Sequence, residues 1–160
     1  MNIRTRLAVV MGALVLAAGT GGSLTAAVAS PSVLGITGVS FSGTLAAPTV
    51  TVTGTGFGKA PTNGLAVSAL TNCQGQNGLD FPGGKLWLVD ANSGEPWTAG
   101  SRVGTNGNCV GVNIVSWSAK QVVFTFGNGY GTNGWNFNDN DPIVVSLRTS
   151  PFVTFIPGGF

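Results

Sequence analysis

The chain has 160 residues, with seven Lys and Arg, five Asp and Glu, and no His. Two of the basic residues, Arg4 and Arg6, stand near the N-terminus, so the remainder is balanced and offers no electrostatic basis for binding nucleic acid or an anionic membrane. The lack of His excludes a Ser-His-Asp triad and leaves two cysteines far short of a zinc centre.

Arg4 and Arg6 precede an apolar run, LAVVMGALVLAA, and a small-x-small site at Ala27-Val28-Ala29. That order predicts a secretory signal peptide over residues 1–29. The run is shorter than the ~20 residues of a spanning helix. No Cys follows the cut for a lipid anchor, and Thr5 separates the two arginines. The expected mature chain is therefore residues 30–160, one exported domain with no membrane span after cleavage.

Beyond the signal no window carries a helical period. Short β-branched runs recur instead: 35–41, 49–53 (TVTVT), 85–90 (KLWLVD), 111–116 (GVNIVS), 121–126 (QVVFTF), 143–148 (IVVSLR) and 152–156. Several alternate apolar and polar residues, as strands with one buried face do. Asn-Gly pairs at Asn63, Asn77, Asn106, Asn128 and Asn133 read as turns. The pattern predicts an all-β antiparallel sandwich. Two connections read as long, 56–84 and 91–109. Cys73 and Cys109 are the only cysteines, and in an exported chain they are expected to form a disulfide tying these connections together.

Three stretches carry a family resemblance. Pro48 to Gly58, PTVTVTGTGFG, resembles the early strand and Gly-Thr-x-Phe-Gly turn of IPT/TIG domains. VSWSAKQVVFTF, from Val115, is similar to that family's Trp-turn-strand segment, and DPIVVSL, from Asp141, to its late strand. Asn140-Asp141 stands where the family usually has Gly-Asp. The resemblance implies an immunoglobulin-like fold and a binding or architectural module with no common catalytic site; no cofactor is expected. In physical terms, glycines around Phe57 let the backbone turn sharply while the ring folds onto the core, and Trp117 is expected to pack there too.

The span GNGYGTNGWNFNDNDP, 127–142, concentrates recognition-type residues. Three readings are open. Tyr130 and Trp135 can cover one end of the core. With Trp97, expected on a loop, they can instead form an aromatic platform for sugar rings, with Asn and Asp meeting hydroxyls. Third, Asn138, Asp139 and Asp141 are oxygen donors of the kind calcium takes, though the spacing lacks the EF-hand pattern.

These features lead to an expectation of a secreted, non-enzymatic binding or cell-surface module whose partner is an extracellular polysaccharide or a surface protein. Two alternatives stand beside it. One is a small carbohydrate-active enzyme using Glu95 with Asp80 or Asp139, since glycosidases need paired carboxylates. The other is an assembly protein whose apolar tail, SPFVTFIPGGF, adds an edge strand to a neighbour.

Overall fold

The computed structural model describes residues 33–69, 73–81, 85–92, 96–100, 109–132 and 134–159. In chain order its strands are β1 (Gly35–Thr44), β2 (Ala47–Thr55), β3 (Leu65–Ala66), β4 (Leu79–Asp80), β5 (Leu86–Asp90), β6 (Trp97–Ala99), β7 (Val112–Trp117), β8 (Gln121–Phe126), β9 (Pro142–Leu147) and β10 (Ser150–Phe155). One sheet has the order β1-β2-β8-β7-β4-β3 and the other β10-β9-β5-β6. Their strand pairs are antiparallel, and the two sheets pack as the expected all-β sandwich. Among the described residues, no helix is long and apolar enough to cross a membrane.

Alternation builds the core. Val50 and Val52 of β2, Val122 and Phe124 of β8, and Val112 of β7 are buried from one side. Leu86 and Leu88 of β5 and Ile143, Val145 and Leu147 of β9 meet them from the other. Phe57, Phe81 and Phe137, from connecting segments, close the ends of this layer. Phe57 is fully buried, as the glycine-flanked aromatic predicted, with Gly56 and Gly58 at φ of 73° and 65°. Trp117 is half-buried against the same core.

Three short strands correct the expected long connections. β3 and β4 lie within 56–84, and β6 lies within 91–109. Each has only two or three residues, too few for alternation to declare itself. At this corner a parallel bridge joins Ala99 to Val110, and the Phe81 amide donates to the Gly100 carbonyl at 2.6 Å. The sheets are thus stitched together where the chain crosses between them.

Cys73 and Cys109 form a disulfide, with Cα atoms 5.2 Å apart at a sequence separation of 36. With Val67 they make a second small apolar cluster beside the main core. Closing a loop of that length restricts the unfolded chain and contributes about 4 kcal/mol on the chain-entropy account.

The tight hairpins do not use Asn-Gly. β1 and β2 turn at Leu45-Ala46, and β7 and β8 turn through Ser118, whose Oγ accepts from the Lys120 and Gln121 amides. β9 and β10 turn at Arg148-Thr149, both at positive φ, 48° and 78°. That is the backbone of a primed two-residue turn, which Asn-Gly ordinarily fills. Arg148 is held there by its amide, which donates to the Lys85 carbonyl, and by its guanidinium, which donates to the Lys59 carbonyl at 2.9 Å.

The outward faces of the two sheets differ. In the larger sheet the residues opposite the buried valines are Thr49, Thr51 and Thr53 on β2 and Gln121, Val123 and Thr125 on β8. In the smaller sheet, Val153 and Phe155 of β10 are 64% and 61% exposed. Val153 lies in register with Val144 and, through it, with Val89.

Candidate functional site

The span 127–142 connects β8 to β9, and it folds back on itself. The Tyr130 amide donates to Gly127 O, the Gly131 amide to Trp135 O, and the Trp135 amide to Thr132 O, at 2.9–3.0 Å. Asn140, where the resembling family has Gly, adopts φ 67° and supplies the left-handed turn before Asp141. Two glycines here are required by close approach. A Cβ on Gly127 would lie 2.0 Å from Asn77 O, and one on Gly129 2.2 Å from Cys109 O.

That approach is locked by two asparagines. The Asn77 amide donates to Asn128 Oδ1 at 2.6 Å, and the Asn128 amide donates to Asn77 Oδ1 at 2.7 Å. Asn128 Nδ2 also donates to Gly75 O. The two side chains stand in for a backbone bridge between segments 51 residues apart. Two Asn-Gly pairs read from sequence as turns therefore also clamp one loop to another. Asn63 accepts from Lys85 Nζ at 2.7 Å, and Asn106 and Asn133 lie outside the described residues.

Tyr130 is pinned at both ends. Its hydroxyl donates to Leu45 O at 2.6 Å and accepts from the Phe137 amide at 3.0 Å. Its ring stacks on Phe126, centroids 4.9 Å apart and planes at 16°, and meets Trp97 edge-on. Burial pushes the phenol up to about 12, against the Phe137 bond that favours the phenolate, with Asp90 and Asp141 adding to the rise. The group is neutral at any physiological pH.

Between this loop and the sheet lies a cleft of about 390 Å³. Ala46, Ala47 and Pro48 form one wall, from the β1–β2 hairpin. Asn113 of β7 and Thr125 and Phe126 of β8 lie along the sheet, and Asn77, Gly127, Asn128 and Tyr130 complete the rim. No lining residue is Asp, Glu, Lys or Arg. Asn113 Nδ2 donates to Phe126 O at 3.0 Å, which fixes the amide on the strand. The arrangement offers amide and hydroxyl groups beside two aromatic rings. It suits a neutral polar ligand with apolar faces, which aromatic and amide groups orient together.

The aromatic platform, one of the three open readings, is not assembled from Trp97, Tyr130 and Trp135 at the surface. Trp97 sits in β6, not on a loop, and is 1% exposed, because its alternation with Ala99 turns the indole into the core. Trp135 is half-buried between the main core and the disulfide cluster. Of the three, only Tyr130 lines the cleft. Asn113, Thr125 and Phe126 are not candidate site residues in the sequence reading, and Asn77 enters it only as a turn residue. The one available signal was Asn113, a polar residue in the outward register of an alternating strand.

The acidic residues serve elsewhere. Asp141 is buried, its Oδ1 accepting from Asn92 Nδ2 and its Oδ2 from the Asn138 amide and Nδ2, at 2.7–3.0 Å. Asp139 Oδ1 accepts from the Gly159 amide. The two acids and Asn138 are thus engaged in turn and tail bonds, and among the described residues no three metal-ligating side chains of Asp, Glu, Cys or His gather. Asp80 is buried in β4, and Glu95 lies outside the described residues.

A pairing not foreseen from sequence joins Asp90 to Asp141. Asn92 bridges them, its amide donating to Asp90 Oδ1 at 2.9 Å and its Nδ2 to Asp141. Burial raises Asp90 to about 7, the Asn92 bond opposes this, and the Asp141 charge adds to it. Both acids are buried, and neither is among the residues that line the cleft. Set against family models, curated proteins and solved structures, the chain matches none.

Proposed function

We propose that this chain is a secreted, non-enzymatic, IPT/TIG-like β-sandwich that binds a neutral glycan in the cleft beside Tyr130. The observation that carries the reading is the lining itself: amide and hydroxyl groups next to Phe126 and Tyr130, with no charged side chain. Sugars present both hydroxyls and C–H faces, and such a surface answers both. Export is supported by the signal-like N-terminus and by the Cys73–Cys109 bridge, which an oxidising compartment maintains. The non-enzymatic part rests on the same lining, which holds no carboxylate pair and no activated nucleophile.

Calorimetric titration of the mature chain with neutral and acidic oligosaccharides tests this. Saturable binding of a neutral glycan, weakened about tenfold by Asn113→Ala through loss of a hydrogen bond to ligand, is expected. Binding confined to acidic glycans, or unaffected by Asn113→Ala, would overturn the cleft as the site.

A further inference from the structure

The cleft opens onto a sheet face whose composition extends its chemistry. Because Val50, Val52, Val122 and Phe124 point into the core, their neighbours point out. Register aligns these outward residues across four strands. Ser42, Thr49, Thr125 and Asn113 form one row. Ser40, Thr51, Val123 and Ser116 form the next, a β-bulge between Ile114 and Ser116 returning Ser116 to the outer side. Gly38, Thr53 and Gln121 form a third. Asn113 and Thr125 belong both to the first row and to the cleft, so the two surfaces are continuous.

We propose that the cleft is one end of a longer site, and that its ligand is an extended, uncharged polysaccharide laid across the outer face of the six-stranded sheet. This rests on the reading of the cleft as a neutral-glycan site. Three features of the face select that class. First, the rows hold no charged residue; a nucleic acid or acidic polymer would need Lys or Arg there. Second, they hold none of the Trp, Tyr or Arg anchors that dominate protein interfaces. Third, threonine places a methyl and a hydroxyl side by side on a stiff χ1, so a sugar's C–H face and its hydroxyls are met with little side-chain entropy lost. Strand spacing of about 4.8 Å and a two-residue repeat of about 6.8 Å make the three rows a patch roughly 14 Å on a side. That is room for several sugar units beyond the one in the cleft.

The test is a length series. The mature chain is titrated with cello-, chito-, malto- and manno-oligosaccharides from disaccharide to hexasaccharide. Affinity for at least one series is expected to rise tenfold or more with length. Thr51→Lys, at the centre of the face and outside the cleft, should flatten that rise. Ser40→Arg, on the exposed edge strand, should blunt it as well and serves should Thr51→Lys unfold. Asn113→Ala should weaken every length. Binding that is independent of length and indifferent to both cationic substitutions would overturn the extended site while leaving the cleft reading in place. No binding in any of the four series would overturn both.

Discussion

The two outward faces of this sandwich were made by different strand grammars. On the six-stranded sheet, TVTVT and QVVFTF bury one set of side chains and turn Thr49, Thr51, Thr53 and Thr125, each half-buried, to the outer side. On the four-stranded sheet, PIVVSL and SPFVTF are apolar on both sides, and Val144, Val153 and Phe155 point outward. The first face presents hydroxyls and continues into a neutral cleft. The second is uncharged and apolar, and its hairpin closes on a turn of Arg and Thr at positive φ. Within one domain the core can be specified equally well by either grammar, while only the alternating one turns a row of hydroxyl groups outward.

The largest expected effect breaks the end of the molecule that carries the cleft. Replacing Cys73 and Cys109 by Ser removes the tether of the Asn77 segment, and chemical denaturation should show a loss of about 4 kcal/mol. A loss under about 1 kcal/mol would mean that the asparagine clamp alone holds that segment. The next effect concerns the buried acids that brace the smaller sheet. Asp90, raised by burial and by neighbouring Asp141 to about 7 from 3.8, binds its proton more tightly folded than unfolded. The resulting stability is full below pH ~4 and is lost as pH rises through about 7. Denaturation midpoints should fall over that window in the native chain and stay flatter in Asp90→Asn, whose amide cannot ionise.

Smaller effects sharpen the comparison from the apolar side. Thr149→Gly relieves a β-branched residue at φ 78° and should stabilise the β9–β10 hairpin by about 1 kcal/mol, read as a rise in melting temperature. Val153→Thr combined with Phe155→Ser gives the outer face of β10 the chemistry of β2. Because both side chains are already exposed, stability should change by no more than about 0.5 kcal/mol each, and glycan affinity not at all.

What was legible in the sequence was what repeats locally. The alternating runs placed seven strands to within a few residues, and the lone cysteine pair named its own partner. Phe57 between glycines read correctly as a core anchor. Short strands did not read, because Trp97-Thr98-Ala99 gives only one cycle of alternation; the indole therefore passed for a loop aromatic. The Asn-Gly signal misled for a related reason. It reports tolerance of unusual backbone, and here that tolerance and the compact amide were used at Asn77 and Asn128 to join two loops, while the hairpin needing positive φ took Arg148-Thr149 and held it with bonds to Lys85 and Lys59. The cleft was not legible at all as a unit. Its walls come from 46–48, 77, 113, 125–128 and 130, brought together by sheet register and by the Asn77–Asn128 clamp.

The most direct measurement of the central claim is a residue-resolved amide spectrum of the mature chain titrated with the neutral oligosaccharides above. Saturable shifts are expected at Asn77, Asn113, Thr125, Gly127 and Asn128, spreading to Thr49 and Thr51 as the oligosaccharide lengthens, with Val144, Val153 and Phe155 unmoved. Shifts confined to the β9–β10 face, or an unchanged spectrum in every series, would contradict it.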